Sequence, residues 1–310
     1  LIGVSRDKTN PELVLEDQTL RDGLQMESRI FSLAEKVQLF QLIKSSGIKH
    51  IQVGSFVHPK RVPQMADTDA LIRTLGRQGD TAISALILNE KGLERALNCG
   101  VAHVDMSVSV SDTHSRKNAG RPAEEALEAM ARLIRRACDS GLNVRAGLQC
   151  AFGCVYEGQI SEQKVLAAAE KLVQAGAERV SLADTTGMAT PQTIRNLIEK
   201  MQKELPDTQI MLHLHDTRSM GMVNMLCAYE AGIRHFDVCS GGLGGCPFIR
   251  GAAGNVPAED AVNMFESMGI KTGVDLKAVC AAVSFLEKIL KRRLPGRMTR
   301  VLEHGASPGG

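Results

Sequence analysis

Eight short β-rich runs recur along the chain, at 13–16, 50–53, 81–86, 103–108, 143–149, 179–183, 209–214 and 234–238. Helical patterns lie between them, as at 33–46, 123–140, 162–175, 191–204 and 220–231. Several of the intervening stretches close on glycine just before the next run, at Gly47, Gly100, Gly141, Gly176 and Gly232, where helix C-termini favour that residue. Strict alternation of strand and helix constrains the fold more than any other feature here. It calls for parallel strands with helices packed outside them, and eight units point to a closed (β/α)8 barrel of the α/β class. A doubly wound open sheet is the alternative, because periodicity does not report closure.

The expected organisation is a single catalytic domain over 1–310. The barrel occupies about 13–256, and further helices at 258–268 and 276–291 form an extension over 257–295. Residues 1–12 read as a polar arm, and the Pro/Gly-containing tail at 296–310 is expected to be loose. With no Trp and two Tyr, the core has to be built from Leu, Ile, Val, Ala and Met. The 37 basic and 35 acidic residues are interspersed, so neither a nucleic-acid groove nor a membrane-surface patch is indicated. No apolar run approaches the ~20 residues that span a bilayer. The eight cysteines form no C-x-x-C pair and read as reduced thiols. A cytoplasmic location is expected, or the mitochondrial matrix if a leader has been removed before Leu1.

In a barrel of this kind the chemistry sits at the C-terminal ends of the strands. The polar oddities of the sequence fall there. The first run is followed by Asp17-Gln18-Thr19-Leu20-Arg21-Asp22-Gly23-Leu24-Gln25, and the second by Gly54-Ser55-Phe56. The sixth ends in Asp184-Thr185-Thr186-Gly187, and the seventh in His213-Leu214-His215-Asp216-Thr217. The eighth leads into Gly241-Gly242-Leu243-Gly244-Gly245-Cys246-Pro247-Phe248. On a strand His213 and His215 point the same way, about 7 Å apart, and two such imidazoles can share one metal ion. Two separately hydrogen-bonded core histidines are the bland alternative.

Asp22 is the natural carboxylate partner for the pair. A mixed N/O site of this composition suits Mg²⁺ or Mn²⁺ and lacks the thiolates of structural zinc. Asn255 offers an amide oxygen, although from spacing alone a turn residue after Gly254 is the preferred reading. Arg21 is either an ion-paired loop residue or a fixed positive charge for an oxygen that becomes negative in the transition state. Asp184 is a proton acceptor or ligand holder, or else the cap of the next helix. Cys246 sits in a glycine loop suited to a lid, where a thiol can carry a proton.

Taken together, Thr19-Leu20-Arg21-Asp22-Gly23-Leu24-Gln25, His213-Leu214-His215-Asp216-Thr217, and Gly242-Leu243-Gly244-Gly245-Cys246-Pro247 through Asn255 resemble the metal-dependent lyase/synthase barrel superfamily. Within it the closest likeness is to the 3-hydroxy-3-methylglutaryl-CoA lyase family. Ser55-Phe56-Val57 with Pro59-Lys60, Val62-Pro63-Gln64-Met65, Lys117-Asn118, and Gly153-Cys154 with Tyr156-Glu157-Gly158 extend the resemblance over about 13–290.

The resemblance implies a divalent-cation enzyme that cleaves a tertiary-alcohol acyl-CoA, forming acetyl-CoA and acetoacetate, and a homodimer. It implies metal binding by Asp22, His213, His215 and Asn255. Arg21 would steady the enolate, Cys246 would transfer a proton, and Asp184 would assist. The expected substrate-facing set is Arg21, Gln25, Gln52, Ser55 and Ser181. Three positions depart from the family pattern. Gln52 stands where these lyases carry Glu, and Ser28 where a Lys often helps the CoA portion, with Arg29 beside it as a substitute. Arg218 follows His-Asp-Thr where Tyr is usual. These differences leave a related substrate such as citramalyl-CoA open. A Claisen-type synthase is a second possibility, weakened by Leu24 where synthases have Glu. A non-catalytic binder of an acyl-CoA or a protein partner is a third.

Overall fold

The computed structural model describes residues 13–245 and 254–305. Eight parallel strands form one sheet, β1 (Val14–Asp17), β2 (His50–Ser55), β3 (Ala82–Ile87), β4 (His103–Ser109), β5 (Asn143–Gln149), β6 (Arg179–Ala183), β7 (Gln209–His213) and β8 (His235–Val238). The sheet closes because β1 pairs with β8 in parallel register, from Val14 opposite His235 to Asp17 opposite Val238. That closure excludes the doubly wound sheet. Every strand falls on an expected run, with ends shifted by two residues at most.

Five helices lie where the sequence pattern indicates: α1 (Leu33–Ser45), α5 (Ala123–Asp139), α6 (Glu162–Gln174), α7 (Pro191–Glu204) and α8 (Gly221–Glu230). α2 (Thr68–Leu75) and α3 (Glu90–Cys99) fill the two remaining crossovers, and α4 (Asp112–Ala119) precedes α5 between β4 and β5. Helix starts follow local chemistry. Ser32 and Glu35 form a reciprocal capping box on α1, and the Asn89 side chain accepts the Gly92 N–H at the start of α3. The five glycines expected to end these crossovers all have positive φ. Among the described residues no helix is long and apolar enough to cross a membrane, and the seven described cysteines carry free thiols.

The apolar core lies between the strands and the helices, as Leu15, Ile51, Val104, Leu148 and Leu212 pack under Phe40, Ile134, Leu172 and Ile198. Inside the barrel the chain instead places charge. Arg145 on β5 reaches across to Glu16 on β1 (3.3 Å) and Asp237 on β8 (2.8 Å), and it also pairs with Asp105 on β4. Arg179 and His235 close on Glu16 as well. Burial disfavours ionised Glu16 and Asp237. The His235 hydrogen bond, Arg145 and Arg179 outweigh it at Glu16, and Arg145 with His213 does so at Asp237, so both carboxyls stay below their ordinary range.

After the barrel come α9 (Ala258–Ser267), α10 (Leu276–Leu290) and α11 (Met298–Glu303). The expectation of a loose tail fails at α11. The Asp260 carboxylate accepts the N–H groups of Arg297 (2.9 Å) and Met298 (3.0 Å), which nucleates that helix, and Thr299 in its first turn is buried. Residues 306–310, and the polar arm at 1–12, lie outside the described residues.

Glu259 is fully buried and its Oε2 accepts the Gly241 N–H at 2.9 Å, at the root of the glycine loop. Burial pushes its carboxyl up to about 8, helped by Asp260 and Glu287 and opposed by backbone N–H donors. Below pH 4.5, its ordinary value, folded and unfolded chains both carry the proton. As pH rises towards 8 the unfolded chain ionises first, so this residue lowers stability by up to about 1.4 kcal/mol per pH unit. Glu259→Gln keeps an acceptor for Gly241 and removes the ionisation. Urea unfolding at pH 5 and pH 8 is expected to show the variant gaining on the native chain at the higher pH. An equal difference at both pH values would refute the assignment.

Candidate active site

The site forms where the ends of β1, β2, β7 and β8 meet. After β1 the backbone makes a π-helical turn over Thr19–Gly23, with the Gly23 N–H returning to Gln18 O at 3.2 Å. This wide turn, a form that recurs at functional sites, presents Arg21 and Asp22 to the barrel mouth. β7 ends at His213, and His215 lies just beyond it in an antiparallel bridge with Asn255. The segment that returns from the glycine loop is therefore laid against the histidine pair.

The ligand atoms of Asp22, His213 and His215 all lie within 4.8 Å of one another. Asp22 Oδ2 is 3.9 Å from His213 Nε2 and 3.8 Å from His215 Nε2, and the two Nε2 atoms are 3.1 Å apart. Asn255 Nδ2 donates to Asp22 Oδ2 at 2.7 Å and to Leu243 O at 3.0 Å, while its Oδ1 is buried without a partner among the described residues. Burial disfavours ionised Asp22, but Arg21 and the imidazoles outweigh it and hold the carboxyl well below the usual range. Gly244 presses its backbone against this cluster. Its φ is +107°, and a Cβ there would lie 2.5 Å from Asn255 Nδ2 and 3.1 Å from Asp22 Oδ2.

This donor set fits a divalent cation. Two imidazole nitrogens, an ionised carboxylate and an orphaned amide oxygen are what such an ion would satisfy. Asp237 supports the arrangement from behind. Its Oδ2 lies 2.9 Å from His213 Nδ1, which as donor leaves the Nε2 lone pair free. Its Oδ1 accepts from Arg145 (2.8 Å) and from Gln18 Nε2 (2.9 Å).

Arg21 donates through Nε to Gln52 Oε1 and through Nη1 to Asp22. All three, with Gln25, Ser181, His213 and His215, line one cavity. The expected site residues thus converge, with three exceptions. Ser55 is fully buried and absent from the cavity wall. Its hydroxyl donates to Leu86 O at 3.4 Å and its N–H to Thr68 Oγ1 at 3.2 Å, so it braces the wall from behind. Asp184 also lies off the wall and does not cap α7, where Thr190 does so. Its two oxygens take the N–H groups of Met188 (2.8 Å) and Ala189 (3.1 Å), which fixes the loop after β6. Cys246 lies outside the described residues.

The chain is matched from residue 12 to residue 286 by the family model described as HMGL-like. It belongs to the HMGL-like family. Among curated members, an (R)-citramalyl-CoA lyase of Chloroflexus aurantiacus is 38% identical over 91% of this chain and 92% of its own length. A hydroxymethylglutaryl-CoA lyase of Bacillus subtilis is 36% identical over 91% of this chain and 95% of its own. The solved structure of an HMG-CoA lyase from Acinetobacter baumannii, in complex with coenzyme A and 3-methylmalate, superposes with a TM-score of 0.90 at 33% identity. That match covers 96% of this chain and 97% of the other. Family membership together with these lyases as full-length relatives makes the chain a carbon–carbon lyase of the acyl-CoA type.

The departures from the family pattern acquire structural roles here. Arg218 donates to the carbonyls of Thr186 (2.6 Å) and Gly187 (2.9 Å) and does not line the cavity. Arg29 pairs with Glu35 at 2.5 Å, so it is already engaged beside the exposed Ser28. Leu24 is buried in the apolar core, where it supplies no carboxylate. Three contributors were missed from sequence: Asp237, Arg145 and Gln18. The visible signal was Arg145, a lone cation in the middle of a strand that reads as buried.

Proposed function

We propose that the chain is a divalent-cation-dependent lyase cleaving 3-hydroxy-3-methylglutaryl-CoA to acetyl-CoA and acetoacetate, with Mg²⁺ or Mn²⁺ held by Asp22, His213, His215 and Asn255. The observation that carries this is the meeting of Asp22, His213 and His215 with Arg21 over a single cavity, with Asn255 hydrogen-bonded to Asp22. The bound cation would lower the pKa of the substrate hydroxyl. As the hydroxyl proton leaves, the C2–C3 bond breaks, its electrons pass to the thioester as an enolate, and a proton returns to C2. Arg21 places fixed positive charge where the enolate oxygen develops, in a site preorganised by Gln52 and Gln18. We assign the returning proton to Cys246, from its place in the sequence after Gly245 on the cavity wall.

The citramalyl-CoA lyase among the relatives supports a second substrate, one methylene shorter. Incubation of the Mg²⁺-loaded protein with each thioester separates the two. Acetoacetate from hydroxymethylglutaryl-CoA is the expected result. Pyruvate from citramalyl-CoA with no acetoacetate would overturn the substrate, and no acetyl-CoA from either would overturn the proposed activity.

A further inference from the structure

We propose that Gln52 is a further catalytic residue, whose side-chain N–H is a second donor to the enolate oxygen beside Arg21. The inference rests on the lyase activity proposed above. Gln52 lies on β2 with 1% of its surface exposed, at a register shift that breaks the β2–β3 ladder between Gln52 and Gly54. Irregularities of this kind re-aim a side chain next to an active site. Thr68 fixes this one, since its hydroxyl bonds to Ser55 O at 3.1 Å and a Cβ on Gly54 would lie 2.5 Å from it.

The two ends of the Gln52 amide are distinguishable. Arg21 can only donate, so the atom that meets its Nε is the oxygen. The amide nitrogen is then left buried, with no hydrogen-bond partner among the described residues, on a residue that lines the cavity. An unsatisfied buried N–H is left without the bonds it made to water. Such a donor in a cavity wall, held rigidly by the catalytic arginine, is suited to an oxygen that the ligand brings. The thioester oxygen gains charge as the C2–C3 bond breaks, and a neutral donor preorganised there lowers the cost of carrying that charge. A carboxylate at this position would accept from Arg21 equally well but would have no N–H to give.

The test uses the full chain with Mg²⁺ and two variants. Gln52→Glu keeps the acceptor for Arg21 and removes the donor. Gln52→Met removes both and adds no charge. Deuterium entry into the methyl group of acetyl-CoA in D₂O reports enolate formation without needing the second product. Both variants are expected to lose about 10²-fold in this exchange and in cleavage kcat, with KM little changed. Mn²⁺ binding by titration calorimetry should stay at the native level, which also shows that the fold is kept. Native-level exchange in Gln52→Glu would mean that the residue only positions Arg21. Native-level exchange in Gln52→Met would mean that added charge alone disturbs the site. Either result overturns the proposal while leaving the lyase intact. A native chain that neither cleaves nor exchanges overturns both.

Discussion

Asp22→Ala is expected to lower lyase kcat/KM by at least about 10³-fold, the scale of the several kcal/mol that a bound cation contributes to such a reaction. Among the described residues, Asp22 is the carboxylate that faces both His213 and His215, and its Oδ2 also takes the Asn255 amide. Removing it deletes a ligand and leaves Asn255 Nδ2 with Leu243 O alone of its two acceptors. It also frees Arg21, which otherwise holds Asp22 on one side and Gln52 on the other. Chelation of the native protein should bring its rate down to that of the variant, and chelation of the variant should change little. A variant that binds Mn²⁺ as tightly as the native chain would remove Asp22 from the site.

Asp237→Ala is expected to cost about 3–5 kcal/mol of stability, because it strips one counter-charge from a buried guanidinium. Arg145 would keep Glu16 and Asp105 but lose its contact at 2.8 Å. The same change is expected to weaken Mn²⁺ binding about 10–100-fold, since His213 Nδ1 would lose the acceptor that sets its tautomer. Asp237→Asn separates the two effects. Its amide oxygen can still accept from Arg145 and Gln18, so more stability survives. Its NH₂ would then face His213 Nδ1 and drive the ring proton to Nε2, where a lone pair is needed. Urea unfolding and Mn²⁺ titration of both variants check this. An Asn variant with native metal affinity would show that Asp237 serves the fold alone.

Much of the fold was legible because strand and helix periods alternate cleanly. The crossover helices left unassigned, α2, α3 and α4, are eight to ten residues long. In α4, Asp112-Thr113-His114-Ser115-Arg116-Lys117-Asn118-Ala119 offers no apolar stripe to read. Closure was invisible for a different reason: β1 and β8 are distant in sequence, and their pairing leaves no local mark. At the site, ligands on short motifs were readable, because Arg21-Asp22 and His213-x-His215 announce their types and spacing. Ser55 and Asp184 misled because a polar residue at a strand end can face the cavity or brace the wall behind it. In both cases backbone groups took the side chain. Asp237 was missed because its value comes from His213 and Arg145, which reach it from other strands.

The C-terminal helices bear on how this protein could be re-engineered. Gly241, at the foot of the glycine loop, gives its N–H to Glu259, and its open face lies against Leu294, where a Cβ would come within 2.4 Å of Cδ1. Gly296 in turn gives its N–H to Gly241 O at 3.2 Å. The eight-unit cylinder is thus not a detachable module. Truncation after the last strand would leave the root of the loop beside the cation site without its lining, so grafting or minimising this catalyst means carrying α9 to α11 along with it.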